Sequence, residues 1–195
     1  MKNLTHNSTN SSIARIRTAS RFLQTVFLFC IVALVPLRVA GWLLYDPNQP
    51  IDDQALLYGL SACLTPADIH GQIDLQQRLL AMAASALPTA VAMFIFARLA
   101  RLFSLYRHGQ IFTAQVVQTI RQLGFAIIVA QFSDLIFQLL CSIVLTWHNG
   151  VGHRQVTVGF SFTHCELLFF AAIVILSSWV MDEGRRLQAE QDLTI

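Results

Sequence analysis

The stretch QLGFAIIVAQFSDLIFQLLCSIVLTW, residues 122–147, decides what kind of molecule this is. It is a run of 26 mostly apolar residues interrupted by a single charge, Asp134. About 20 such residues let a helix cross the hydrocarbon core of a bilayer, so the run reads as a membrane span with an acid near its middle. Three more stretches qualify: 22–45 with Pro36 and Arg38 inside it, 79–102 opening with nineteen uncharged residues, and 160–181 with Glu166 near its start. Water is absent from the bilayer core, so the backbone must satisfy itself there and helices are expected throughout. Composition agrees, because 12% charged residues in a chain of 195 is about half of what a soluble domain carries. The expected fold is all-α, an integral membrane bundle of four transmembrane helices forming one domain over 21–195.

Charge gives the expected topology. Lys2, Arg15, Arg17 and Arg21 precede the first span without an acid, Arg98, Arg101, Arg107 and Arg121 surround the second connection, and Arg185 and Arg186 follow the last span. The 46–78 connection instead carries Asp46, Asp52, Asp53, Asp68 and Asp74 against Arg78, and 148–159 has Arg154 alone. Lysine and arginine collect on the cytoplasmic side, so both termini and the middle connection are expected there. The first apolar run is long and lacks a small-x-small cleavage site, which favours a retained helix over a signal peptide. The Ser/Thr/Asn-rich leader, 1–20, is expected to be disordered. Within the first outer connection, IDDQALLYGLSACL (51–64) has the pattern of a short helix lying at the interface.

Two further stretches carry a likeness. LYRHGQIFT (105–113) enters the third span, and GRRLQAEQDLTI (184–195) ends the chain. With four apolar helices they resemble a bacterial membrane-protein family catalogued as domain of unknown function 2975. The matching positions are Tyr106, Arg107, Gly109, Ile111, Phe112 and Thr113, then Gly184, Leu187, Asp192, Leu193, Thr194 and Ile195. Ala114 and Gln115 depart from the family's frequent Pro-Glu. The resemblance implies a multi-pass protein of the bacterial inner membrane, with a small helix-turn-helix regulator as candidate partner, and it brings no activity. The same residues have a direct physical reading. Gly109 suits a turn with positive φ, the Thr113 hydroxyl is placed to cap the third helix, and Tyr106 and Arg107 suit an interface. The apolar DLTI end suits docking into a partner's strand or groove.

Inside the membrane, helix spacing puts Gln131, Asp134, Gln138 and Cys141 or Ser142 on one side of the third span. A carboxylate at that depth costs on the order of 3 kcal/mol and marks a functional hypothesis. As a neutral acid it could donate and accept, tying the stripe to Ser85 or Thr89. Matched depth suggests a second pair, Arg38 with Glu166. His70, His148, His153, His164, Cys165 and Glu166 collect on the outer side, but their spacing fits no known zinc pattern and the four cysteines lack CxxC. No metal or cofactor is therefore expected. There is no HExxH and no Ser/Lys or Asp/Asp arrangement, so a non-enzymatic regulatory or scaffold protein holding a cytoplasmic partner is the expectation, with no direct nucleic-acid contact. The alternative is a proton- or ion-responsive sensor or transporter built around Asp134, for which four spans would require a homo-oligomer.

Overall fold

A computed structural model describes residues 2–44, 74–110, 113–147, 156 and 158–192, with side chains from Arg17 onward except those of Leu44 and Asp192. The described residues form four helices and no strand: α1 (Lys2–Leu44), α2 (Leu75–Arg107), α3 (Ala114–Thr146) and α4 (Phe162–Asp192). All four are long and apolar enough to cross a membrane. The 51–64 stretch, His70, Ile111, Phe112, His148, His153 and Leu193 to Ile195 lie outside the described residues.

Helix α1 runs from Lys2 to Leu44 and so includes the leader. Adding residues to an existing helix fixes one residue per hydrogen bond, whereas starting one fixes three. A Ser/Thr/Asn-rich segment can therefore extend a helix that it could not nucleate.

The helix ends show how local sequence sets the elements. At the start of α2, Gln77 Oε1 accepts from the Asp74 amide at 3.1 Å, the return half of a capping box, while Asp74 Oδ1 accepts from the Leu75 amide at 2.8 Å. The end of α2 is a Schellman turn. Gln110 N donates to Leu105 O and Gly109 N to Tyr106 O, with Gly109 at φ 75°. At the start of α3 the structure corrects the expectation for Thr113. Its carbonyl accepts from the Val116 and Val117 amides, but its buried hydroxyl has no hydrogen-bond partner among the described residues. The last carbonyls of α1 are met from outside, by Arg78 of α2, which donates to Leu43 O at 2.8 Å and reaches Trp42 O at 3.5 Å. A cation is favoured there because the helix dipole ends negative.

Contacts divide the chain into two compact units, each drawing on all four helices. The first comprises Met1–Ile31, Phe94–Ile128 and Leu167–Ile195. Its core is Leu102, Val116 and Leu123, with Tyr106, Ile120 and Met181 packed around them. Phe27 stacks on Phe96 and Phe103, joining α1 to α2. In the same unit α3 meets α4 at Gly124, where a Cβ would lie 2.5 Å from Ile175 Cγ1. Only hydrogen fits.

The second unit comprises Val32–Met93 and Val129–Glu166, and its core is Trp42, Ala81, Phe137, Cys141 and Leu145. Gln77 Nε2 donates to Val144 O, linking α2 to α3. Fully buried positions of the two units include Ala81, Ser142, Ala171 and Ser178. Small residues dominate membrane helix contacts because apolar side chains gain little by leaving lipid, and close backbone approach supplies the packing energy instead. Large apolar side chains point outward, Phe29, Val32 and Phe162 each above 70% exposed, which suits a surface covered by acyl chains.

Candidate functional site around Asp134

In α3 of the second unit, residues 131, 134 and 138 follow the three-and-four spacing of a helix face. Asp134 and Gln138 are bonded directly, Gln138 Nε2 donating to Asp134 Oδ2 at 2.8 Å. The other amide atom of Gln138, Oε1, accepts from the Gly159 amide at 2.9 Å. Gln138 is buried and uses both ends of its amide. Gln131 is half-buried and does not join this network.

Gln138 lies eight residues before the end of α3 at Thr146, about 12 Å along the helix axis. Gly159, shortly before α4, therefore lies beside α3 well back from its end. Irregular backbone at such a depth is tolerated where protein groups satisfy it, and Gln138 does so for Gly159.

This placement brings His164 to Asp134. His164 is 8% exposed and its Nε2 lies 3.2 Å from Asp134 Oδ2. The other ring nitrogen, Nδ1, lies 3.1 Å from the Ser161 amide and 2.8 Å from the Ser161 hydroxyl. A backbone N–H can only donate, so Nδ1 must accept. The proton of the neutral ring is then on Nε2, which donates to Asp134. His164 thus supplies one half of a capping box, its imidazole accepting from the Ser161 amide in the place of a glutamate or glutamine, and Phe160 stacks on the ring at 5.4 Å. Asp134 Oδ2 accepts both of these hydrogen bonds.

The other expected partners differ. Ser85 and Thr89 bond within their own helix, to Met82 O and Ser85 O, as buried hydroxyls on helices commonly do. They line, with Arg38 and Met82, a groove of about 470 Å³ between α1 and α2. The Arg38–Glu166 pair does not form. Glu166 is exposed and takes part in no ion pair among the described residues. Half-buried Arg38 lies within electrostatic reach of Asp134. The cause is helical geometry: residues two apart point about 200° apart, so turning His164 inward turns Glu166 outward. Cys165 is exposed as well. Among the described residues no three His, Cys, Asp or Glu side chains are placed to hold a metal.

Asp134 therefore joins α3 to α4 through Gln138 on its own helix and His164, within electrostatic reach of Arg38 on α1. The one ionisable side chain of α2 in this unit, Arg78, is committed to the Leu43 and Trp42 carbonyls. Chemically the arrangement is a carboxylate–imidazole contact whose ring is also a helix cap, so gain of a proton must change both. His164 had been grouped by sequence with the outer histidines. The Ser161-x-x-His164 spacing ahead of an apolar run was the signal for its capping role.

The described motif residues lie in the first unit. Tyr106 packs edge-on to Phe103 at 6.1 Å, and Arg107 is the last residue of α2. Gly184 and Leu187 sit inside α4, which runs on to Asp192 without a break. Gly184 has nothing near its would-be Cβ, and Leu187 is exposed.

A family model described as Protein of unknown function (DUF2975) matches residues 70–195, the part of the chain holding α2, α3 and α4. No curated protein and no solved structure gives a significant match.

Proposed function

The chain belongs to the DUF2975 family of unknown function, and from that premise we propose that it is a non-enzymatic regulatory membrane protein whose Asp134–His164 contact responds to protonation. The observation that carries this reading is the double use of one imidazole, whose Nδ1 holds the Ser161 amide while its Nε2 holds Asp134. A second proton on the ring makes Nδ1 a donor. The Ser161 amide then loses its acceptor, Nδ1–H turns to the Ser161 hydroxyl, and the contact with Asp134 becomes an ion pair. Acid therefore tightens the tie between α3 and α4 and loosens the first turn of α4. The groups facing this change are Asp134 on α3 and the Arg38 charge from α1. Neither signal nor output needs a catalytic group. The output in this reading is a soluble partner, such as a small helix-turn-helix regulator, held on the side where Arg107, Arg185 and Arg186 lie, which the positive-inside rule assigns to the cytoplasm of the inner membrane.

His164→Gln tests the reading, because glutamine can still accept from the Ser161 amide and donate to Asp134 but cannot gain a proton. The purified full chain in nanodiscs should lose hydrogen-exchange protection at the start of α4 when acidified, each rate being taken relative to the intrinsic rate at that pH, and the variant should fold and lose that dependence. The same acid response in both proteins would refute the proposal. Co-purification from native membranes with and without Asp192 to Ile195 tests the output: the shortened chain should release a partner that the full chain retains.

A further inference from the structure

Asp182 in α4 is surrounded by three guanidinium groups. Arg185 donates to its Oδ1 at 3.1 Å, Arg121 of α3 lies 3.5 Å from its Oδ2, and Arg186 lies 3.9 Å from the same oxygen. One carboxylate cannot saturate them. Each guanidinium carries five N–H donors, whereas a carboxylate offers about four acceptor sites. The shortage is visible: the Nε atoms of Arg121 and Arg185 are both buried without a hydrogen-bond partner among the described residues.

The charge balance points the same way. Within this unit α2 and α3 contribute Arg98, Arg101, Arg107 and Arg121 with no acid, and α4 offsets Arg185 and Arg186 with Asp182, Glu183, Glu190 and Asp192. The surplus positive charge thus sits on α2 and α3, and Arg121 stands where α3 faces α4. Met181, next to Asp182, packs against the apolar core of the unit. The guanidinium cluster therefore begins where the apolar part of α4 ends, at the level where phospholipid headgroups lie beside a spanning helix.

We propose that Arg121, Arg185 and Arg186 form a binding site for the headgroup of an acidic phospholipid. A phosphate diester supplies the missing acceptors in a geometry that guanidinium groups match bidentately. Basic sites between helix ends at the membrane surface have the right charge and depth for such lipids. Asp182 positions the three arginines and limits their net charge, which favours a singly charged headgroup over a bare multivalent anion. The site is independent of the Asp134–His164 reading and uses none of its residues.

The test uses the full chain purified in a mild zwitterionic detergent and titrated with vesicles of phosphatidylglycerol, of phosphatidylcholine, and with inorganic phosphate. Native mass spectrometry counts retained lipid and thermal unfolding reports stabilisation. Phosphatidylglycerol should be retained and raise the melting temperature, and phosphatidylcholine should do neither. Each arginine removed should weaken retention about fivefold. Arg186→Gln removes the most exposed and most distant of the three and so is least able to disturb folding, whereas Arg121→Gln removes the one from α3. Equal retention by wild type and both variants would overturn the proposal. So would stabilisation by inorganic phosphate alone equal to that by phosphatidylglycerol, which would make the cluster a small-anion site.

Discussion

Replacing Asp134 by leucine should destabilise the protein, even though it removes an acid from the middle of a membrane span. The insertion cost of the acid, on the order of 3 kcal/mol, is present whenever α3 is in the membrane, packed or not, and so largely cancels. What leucine changes is the folded state. Gln138 Nε2 and His164 Nε2 both lose their acceptor, and both side chains are buried while the Asp134 side chain is 40% exposed. The penalty thus falls on the two stranded donors. An unsatisfied buried donor costs about 1–3 kcal/mol in water-soluble proteins. Hydrogen bonds between membrane helices average about 0.6 kcal/mol with a maximum near 1.7, because helices apart in lipid find other partners. Two bonds then give about 1–3 kcal/mol for Asp134→Leu. Asparagine keeps one oxygen that can accept both donors and loses the attraction of Arg38, so Asp134→Asn should cost about 1 kcal/mol or less. Steric trapping in bicelles measures both as unfolding free energies. A leucine variant as stable as wild type, or an asparagine variant as damaged as leucine, would refute the reasoning.

Gly109→Ala should cost about 1–2 kcal/mol for placing a side chain in the left-handed region, with no steric addition because the space around it is open; thermal unfolding reads it. Gly124→Ala should cost about 1–3 kcal/mol, since the new methyl overlaps Ile175, and Gly124→Ala with Ile175→Ala should be less damaging than the two singles added together. Arg78→Met should expose the last turn of α1 to faster hydrogen exchange by removing the donor to the Leu43 and Trp42 carbonyls, leaving exchange at the Gly109 turn unchanged.

What the sequence made legible is what depends on one element at a time. Hydropathy identified the four helices, spacing put Asp134 and Gln138 on one face, and the need for positive φ identified Gly109. Each rests on local geometry. The partners of Asp134 were not legible, because they depend on where the chain between α3 and α4 comes to rest. Counting from helix ends set Glu166 level with Arg38. The structure instead brings Gly159 against Gln138, and once His164 faces inward Glu166 cannot. Thr113 marks a finer limit. A threonine before a helix signals a cap, but here the carbonyl carries the bonding and the hydroxyl does not. Gly124 offered no signal, since only the proximity of Ala171 and Ile175 distinguishes it from any glycine in a span.

The protonation state of the two ring nitrogens of His164 tests the account most directly. With uniformly 15N-labelled protein in nanodiscs, and His164→Gln to assign the signals, the nitrogen shifts separate a protonated from an unprotonated ring position. The account requires an unprotonated Nδ1 and a protonated Nε2 in the resting protein, with Nδ1 gaining a proton on acidification. A protonated Nδ1 at rest would contradict it, because the Ser161 amide would then face a donor and the tie between cap and carboxylate would not exist.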